Sequence, residues 1–418
     1  MKYQMISLLF LITAIVLGFT KKMNVGIVSM GLAFILGLIG RVDTSVILGG
    51  FPSKLFITLL GTMFFFCLLQ DNQTLELLSK KMVALVGNKT FLIPIIIYIA
   101  SYVLSAAGPG AISVQSVMII FAVSLAVQMR ASAILLGSMA ILGAVGGTTS
   151  PIALSGIIVT DLTTEMGMKG VANPVFFGVT VANVICAAVL YIAFKGYKLK
   201  GDGTVNKEQL PKFNNGQMLC IGALLVLVIA VVGLRYDVGL VSFALSLVLM
   251  LCGVANEKAA IKLIPWSVLI LICGVNVLMA VTKELGGIEL LSDMLASLMN
   301  QYTACPIIGL TAGLMSWFSS ANGVVLPTLI PTVPDIVANV GGSVTVVEMI
   351  IAIVGGATVA GISPLSTGGS LILASYTQEM NAAESEQQSI FGKLFLISFG
   401  AVMIIVMFAL VGGFKLFC

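Results

Sequence analysis

The chain contains no histidine, and aspartate, glutamate, lysine and arginine together make up only 9% of its 418 residues. A soluble globular domain carries roughly 25% charged residues, so a water-soluble enzyme is excluded. An intramembrane enzyme is poorly supported too. No acidic pair falls within the apolar runs, and neither Ser105 nor Ser150 has a nearby lysine to activate it as a nucleophile, so no catalytic residue is assigned. The seven cysteines are odd in number and show no metal-ligand spacing. Most stand inside apolar runs (Cys67, Cys186, Cys220, Cys252, Cys273), where thiols act as small hydrophobes. No small-residue cleavage pattern follows the first apolar stretch, so residues 1–20 read as a first spanning helix. The net charge of +4 is spread through loops, which argues against nucleic acid as a partner and against a polybasic membrane arm.

What is present is apolar: 59% of residues are hydrophobic. Runs near the roughly 20 residues that span a bilayer recur from end to end, at about 4–20, 24–40, 55–70, 131–158, 174–195, 217–234, 238–253, 263–282, 346–372 and 391–415. Two further apolar stretches, 91–129 and 303–340, are broken at their middles, the first by Ser105-Ala106-Ala107-Gly108-Pro109-Gly110 and the second by Ser319-Ser320-Ala321-Asn322-Gly323. Such small and turn-forming residues cannot sustain a lipid-facing helix, so both stretches are expected to be re-entrant hairpins.

The polar segment 196–216 bisects the chain. Sliding one half over the other at a single offset, without a gap, places Leu75-Glu76-Leu77-Leu78-Ser79 on Ile288-Glu289-Leu290-Leu291-Ser292, Gly110 on Gly323, Ser150-Pro151 on Ser363-Pro364 and Gly156 on Gly369. The expected fold is an all-α polytopic membrane protein made of two repeats, each with about five spanning helices and one hairpin. An odd number of spans per repeat turns the second copy upside down. Placing the linker in the cytoplasm puts 14 of the 21 lysines and arginines there, in keeping with the positive-inside rule, with both termini external. A multi-pass protein of the cell's inner (plasma) membrane follows.

Inverted repeats with broken helices at mid-membrane suit secondary transport, because half-helix N-termini offer N–H groups to anions and unwound carbonyls hold cations. Four stretches qualify: the two hairpin tips, Gly146-Gly147-Thr148-Thr149-Ser150-Pro151, and the segment 361–369, each rich in hydroxyls or small residues. Asn322 is the most telling residue, since an amide at a hairpin tip within hydrocarbon needs a partner. No ionisable residue falls in these stretches. Arg130 reads as an interfacial anchor, and Glu76 and Glu289 as water-facing members of horizontal amphipathic helices.

With these motifs the chain resembles the divalent anion and sodium symporter family of the ion transporter superfamily, particularly its dicarboxylate carriers of the malonate-carrier type, over nearly its whole length. Ala321-Asn322-Gly323, followed by Leu329-Ile330-Pro331, looks like that family's second-tip motif, and Gly108-Pro109-Gly110 stands at the first. The resemblance implies an elevator-type homodimer carrying a C3–C4 dicarboxylate such as malonate, succinate or malate, with Na+ as a possible coupling ion and H+ as the alternative. It implies a scaffold of helices 1–70, 174–195, 217–282 and 391–415 and a moving part made of the hairpins 91–129 and 303–340 with the unwound helices 131–158 and 346–372. Substrate would touch Asn322, Pro151, Pro364, Ser366 and Thr367. One cation would sit among Ala107, Gly108, Gly110, Thr148, Thr149 and Ser150, and a second among Ala321, Gly323, Gly361 and Ser363. Two other readings stay open: the large membrane subunit of a binding-protein-dependent carboxylate transporter, and a passive anion channel.

Overall fold

The computed structural model describes residues 2–21, 23–84, 89–199, 210–234 and 236–418, which are helical with no strand. The first half runs through α1 (Lys2–Thr20), α2 (Val25–Gly40), α3 (Thr44–Gly49), α4 (Ser53–Asp71), α5 (Thr74–Ala84), α6 (Ile93–Ala106), α7 (Gly110–Gln128), α8 (Ala133–Gly147), α9 (Leu154–Glu165) and α10 (Ala172–Ala193). The second runs through α11 (Asn215–Val228), α12 (Val238–Leu251), α13 (Glu257–Leu263), α14 (Trp266–Glu284), α15 (Gly287–Ser297), α16 (Ala304–Phe318), α17 (Leu326–Leu329), α18 (Val333–Val340), α19 (Val346–Val359), α20 (Thr367–Met380) and α21 (Glu384–Leu410). Seven of the described helices are long and apolar enough to cross a bilayer. Among the shorter apolar helices, α6, α8 and α16 have 14 or 15 residues. At about 1.5 Å per residue they fall short of the roughly 30 Å hydrocarbon core, as arms of hairpins and broken helices must.

The offset that carries Gly110 to Gly323 also carries the first residues of α1 to α5, α8 and α9 onto those of α11 to α15, α19 and α20. Capping residues explain this punctuation. Asn24, Asp43 and Ser132 each accept a backbone N–H with the side chain at the start of α2, α3 and α8. Their repeat counterparts Asp237, Asn256 and Thr345 do so at α12, α13 and α19. Each satisfies one of the free N–H groups of a helix start, a contribution of about 1 kcal/mol. The short helices α3 and α13 lie outside the expected spans, because their six and seven residues are too few for a hydropathy signal.

Glycines set the packing between halves. At Gly26 of α2 and Gly274 of α14 the two backbones touch with no room for a Cβ, and Gly239 of α12 meets α4 beside Gly61 in the same way. Gly26 and Gly239, like Gly61 and Gly274, are repeat counterparts, so helix two of each half packs on helix four of the other. Small residues allow this close approach in lipid, where dispersion and not water exclusion drives association. A second body is built around α8, every residue of which is buried, and α19, buried from Glu348 to Val359. Helices apolar on all sides belong in a core.

The helices expected at 174–195 and 391–415 with the scaffold pack instead on this second body. In α10, Gly178 faces Ile351 of α19, Thr180 Oγ1 lies 2.7 Å from the Tyr102 hydroxyl of α6, and Asn183 abuts Gly146 of α8. In α21, Ser398 Oγ accepts from Trp317 Nε1 of α16 at 2.9 Å and donates to the Ala360 carbonyl at 3.0 Å. Side-chain complementarity on one face decides this, and hydropathy is blind to it. The chain enters α21 at Glu384 and leaves α20 at Met380, later than the expected end at residue 372. Residues 200–209 of the expected linker, with Lys200 and Lys207, lie outside the described residues, as do Lys22 and Arg235 of the charge count.

Candidate functional site

Both hairpin tips are interrupted, and they differ in length. The first passes from α6 to α7 through Ala107, Gly108 and Pro109, with Gly108 and Gly110 at φ 137° and 72°. The second leaves α16 at Ser319 in extended geometry (φ −146°, ψ −179°) and then forms a π-turn over Ala321–Val325. The Ser320 hydroxyl oxygen caps that turn by accepting from Gly323 N at 3.1 Å. Equivalent contacts fix the register of the outer arms. Ser105 Oγ donates to the Ala144 carbonyl and Ser316 Oγ to the Ala357 carbonyl, each at 2.7 Å. The acceptors Ala144 and Ala357 obey the offset of the repeats, but the same offset carries Ser105 to Phe318, two positions past Ser316. The gapless match therefore fails in the outer arms, and the second tip is longer by those two positions. They produce the extended Ser319-Ser320 segment that carries Asn322.

The kinks differ as well. After α8, the Thr148 carbonyl accepts from Ser155 N at 3.0 Å and Gly156 N at 3.1 Å, so the first turn of α9 is closed by the chain's own backbone. After α19 the chain passes through Ala360–Ile362, and Ser366 Oγ donates to the Gly361 and Ser363 carbonyls at 2.7 Å. Among the described residues no carbonyl takes up the corresponding N–H groups of Gly368 and Gly369 at the start of α20.

The second tip, the start of α7 and both kinks meet at a cavity of about 720 Å³. Thr148, Asn322, Ala321, Gly361, Ser366 and Thr367 of the expected site residues line it. Pro151, Pro364, Ala107, Gly108, Gly110, Thr149, Ser150, Gly323 and Ser363 do not. They shape the wall from behind. Gly108 lies against the Phe66 ring, Gly110 against Leu154 and Gly323 against Leu271, so these glycines serve packing. Thr149 Oγ1 donates to the Gly146 carbonyl at 2.7 Å, and Ser150 and Ser363 are buried.

Ser319 and Ser320 of the second tip also line it, and so do residues that the sequence did not single out, among them Gln115 of α7, Ser155 of α9, Ser316 and Trp317 of α16 and Thr358, with Gly18, Thr20 and Val25 from the α1–α2 turn. Among the described residues no aspartate, glutamate, lysine, arginine or cysteine lines the cavity. Its recognition chemistry is therefore neutral, and the free protons can be counted. Ser316, Ser319, Thr358, Ser366 and Thr20 give theirs to backbone carbonyls. Asn322 Nδ2, Gln115 Nε2 and the Thr367 and Ser320 hydroxyls have no acceptor among the described residues, Ser320 accepting only from Gly323 N. An acceptor-rich guest is what such a wall can bind. No group of three or more His, Cys, Asp or Glu gathers among the described residues, so a cation here would rest on carbonyl and hydroxyl oxygens.

The chain thus has the fold of an all-helical, multi-pass membrane protein with a cavity among its interrupted helices. The family described as "Dicarboxylate carrier protein MatC N-terminus" matches residues 1–148. Among solved structures the chain is similar to the YdaH transporter of Alcanivorax borkumensis, described as having an unusual topology, with a TM-score of 0.54 and 14% identity over 88% of each chain. At that identity the likeness shows a shared fold. No curated protein matches the chain.

Proposed function

We propose that the chain is a secondary active transporter of a small organic dianion, a C3–C4 dicarboxylate such as malonate, succinate or malate, and a member of the divalent anion and sodium symporter family. The observation that carries this reading is the neutral cavity where the second tip, the start of α7 and both kinks meet, with free donors on Asn322, Gln115, Ser320 and Thr367 and an open α20 N-terminus at Gly368. Amide, hydroxyl and backbone N–H groups suit carboxylate oxygens, and the positive end of a helix dipole adds to them. The match of residues 1–148 to a dicarboxylate carrier family supports the same substrate class.

Cation coupling follows from the missing charge. Two carboxylates moved out of water with no lysine or arginine beside them are costly, several kcal/mol per ion even after relaxation. A co-bound Na+, or H+, offsets that cost. Thr148 with the first tip, and Gly361 with the π-turn, would provide its oxygen ligands.

In this reading the halves are inverted repeats. The scaffold comprises α1 to α5 and α11 to α15, and the body α6 to α10 and α16 to α21 slides against it as an elevator within a homodimer of the inner membrane. The cavity reaches Gly18, Thr20 and Val25 beside Lys21, which the charge distribution places at the cytoplasmic end. Purified protein in liposomes should accumulate labelled malonate or succinate under an inward Na+ or H+ gradient. Absence of uptake of any C3–C4 dicarboxylate under both gradients contradicts the proposal.

A further inference from the structure

Ser155 is fully buried in the first turn of α9, and its hydroxyl lies 2.7 Å from Asn322 Oδ1 at the second tip. This is a side-chain bond between the two halves inside the cavity. The separation fits an O–H···O bond, whose usual length is about 2.7 to 2.8 Å, better than an amide N–H donor at about 2.9 to 3.0 Å. The Thr148 hydroxyl stands 3.4 Å behind Ser155 Oγ. Ser155 has one proton, and giving it to Asn322 leaves its own lone pairs toward Thr148. The amide is then fixed with its carbonyl turned into the protein and its NH₂ group without a protein partner, facing the cavity. The repeat counterparts of Thr148, Ser155 and Asn322 are Gly361, Gly368 and Pro109, so no second copy of this relay exists across the site.

We propose that Ser155 is a positioning residue that sets the orientation of the Asn322 amide and so makes the cavity select a carboxylate over its amide. The inference rests on the reading of the cavity as an anion site. With Ser155 removed, the Asn322 amide is free to turn by half a rotation and present an acceptor, which repels a carboxylate and welcomes an amide NH₂. A loss confined to packing would weaken both guests alike.

Two measurements on full-length detergent-solubilised protein test this. The first is ligand-induced thermal shift with malonate and with malonamate, its monoamide. Ser155→Ala should reduce the malonate-to-malonamate affinity ratio about tenfold, the scale of one hydrogen bond to a charged group, and Ser155→Cys, with a weaker donor, should lie between. The second is a ligand-free double-mutant cycle of Ser155→Ala and Asn322→Ala, read by melting temperature, in which the pair should be less destabilised than the sum of the singles. An unchanged ratio with both affinities falling together, or additive melting shifts, overturns the positioning role. Wild-type protein that responds to neither compound overturns the anion site itself, a failure that the ligand-free cycle separates from that of the Ser155–Asn322 bond.

Discussion

At the first kink the Thr148 carbonyl accepts two N–H groups of α9, whereas at the second no carbonyl of the described residues takes the matching N–H groups of Gly368 and Gly369, of which Gly368 lines the cavity. The tips show the reverse: the first is a tight Gly-Pro-Gly turn, and the second is two residues longer and presents Asn322. Matching elements of the two halves thus differ in what they present. The first half closes its backbone on itself and supplies the hydroxyls of Thr148 and Ser155. The second offers an amide and a bare helix start. The two sides of the cavity therefore carry polar groups of different kinds.

Paired substitutions sharpen that contrast. The largest effect is expected at Gly110, where φ is 72° and a Cβ would lie 2.9 Å from Leu154 Cβ and 3.2 Å from Thr148 Oγ1. Gly110→Val should destabilise by about 3 kcal/mol through left-handed strain and overpacking. Its counterpart Gly323→Val, with no positive φ, meets the flexible Leu271 side chain and, at 3.3 Å, Ser320 Oγ, and should cost less in melting temperature. Next is Asn322→Ala, which should weaken dicarboxylate affinity by about 10- to 100-fold, the range of a bond to a charged group, while the ligand-free protein loses only about 1 kcal/mol with the Ser155 bond. Pro109→Ala, at the equivalent position of the first tip, should leave affinity as it is. Gln115→Ala should raise the KM for uptake by about 3- to 10-fold, while its counterpart Thr328→Ala, buried beside Met279, should leave KM unchanged. Smallest is the pair Ser105→Ala and Ser316→Ala, which remove matched bonds and should each cost about 1 kcal/mol. Equal melting shifts would support the two-residue offset of the arms, and clearly unequal ones would break it.

Much of this was legible in the sequence. Apolar runs located the helices, Gly-Pro-Gly and Ser-Ser-Ala-Asn-Gly marked the tips, and Thr148, Asn322, Ser366 and Thr367 fall on the cavity because small and hydroxylic residues occur in apolar runs where the backbone must leave its helix. The resemblance implies Pro151 and Pro364 as substrate contacts, yet a proline that turns the chain has no donor to offer a carboxylate, and both sit off the cavity. The two-residue offset is hidden because Ser105 and Ser316 are related by the carbonyl each reaches, a contact between helices and not a match along the chain. Ser155 left one trace. It is a hydroxyl in the first turn of α9, where its counterpart, Gly368, is bare. Gln115 left none, since a single amide in an apolar arm reads as a helix-packing residue until its surroundings are seen.

The central claim is that interrupted backbone from both halves builds one neutral chamber for a dianion. The most direct measurement is a structure determined with bromosuccinate, whose anomalous signal locates the ligand. The account predicts bromine density within the cavity, one carboxylate against Asn322 and the other near the start of α20. Bromine located elsewhere in the protein, or none bound at concentrations that saturate uptake, would contradict it.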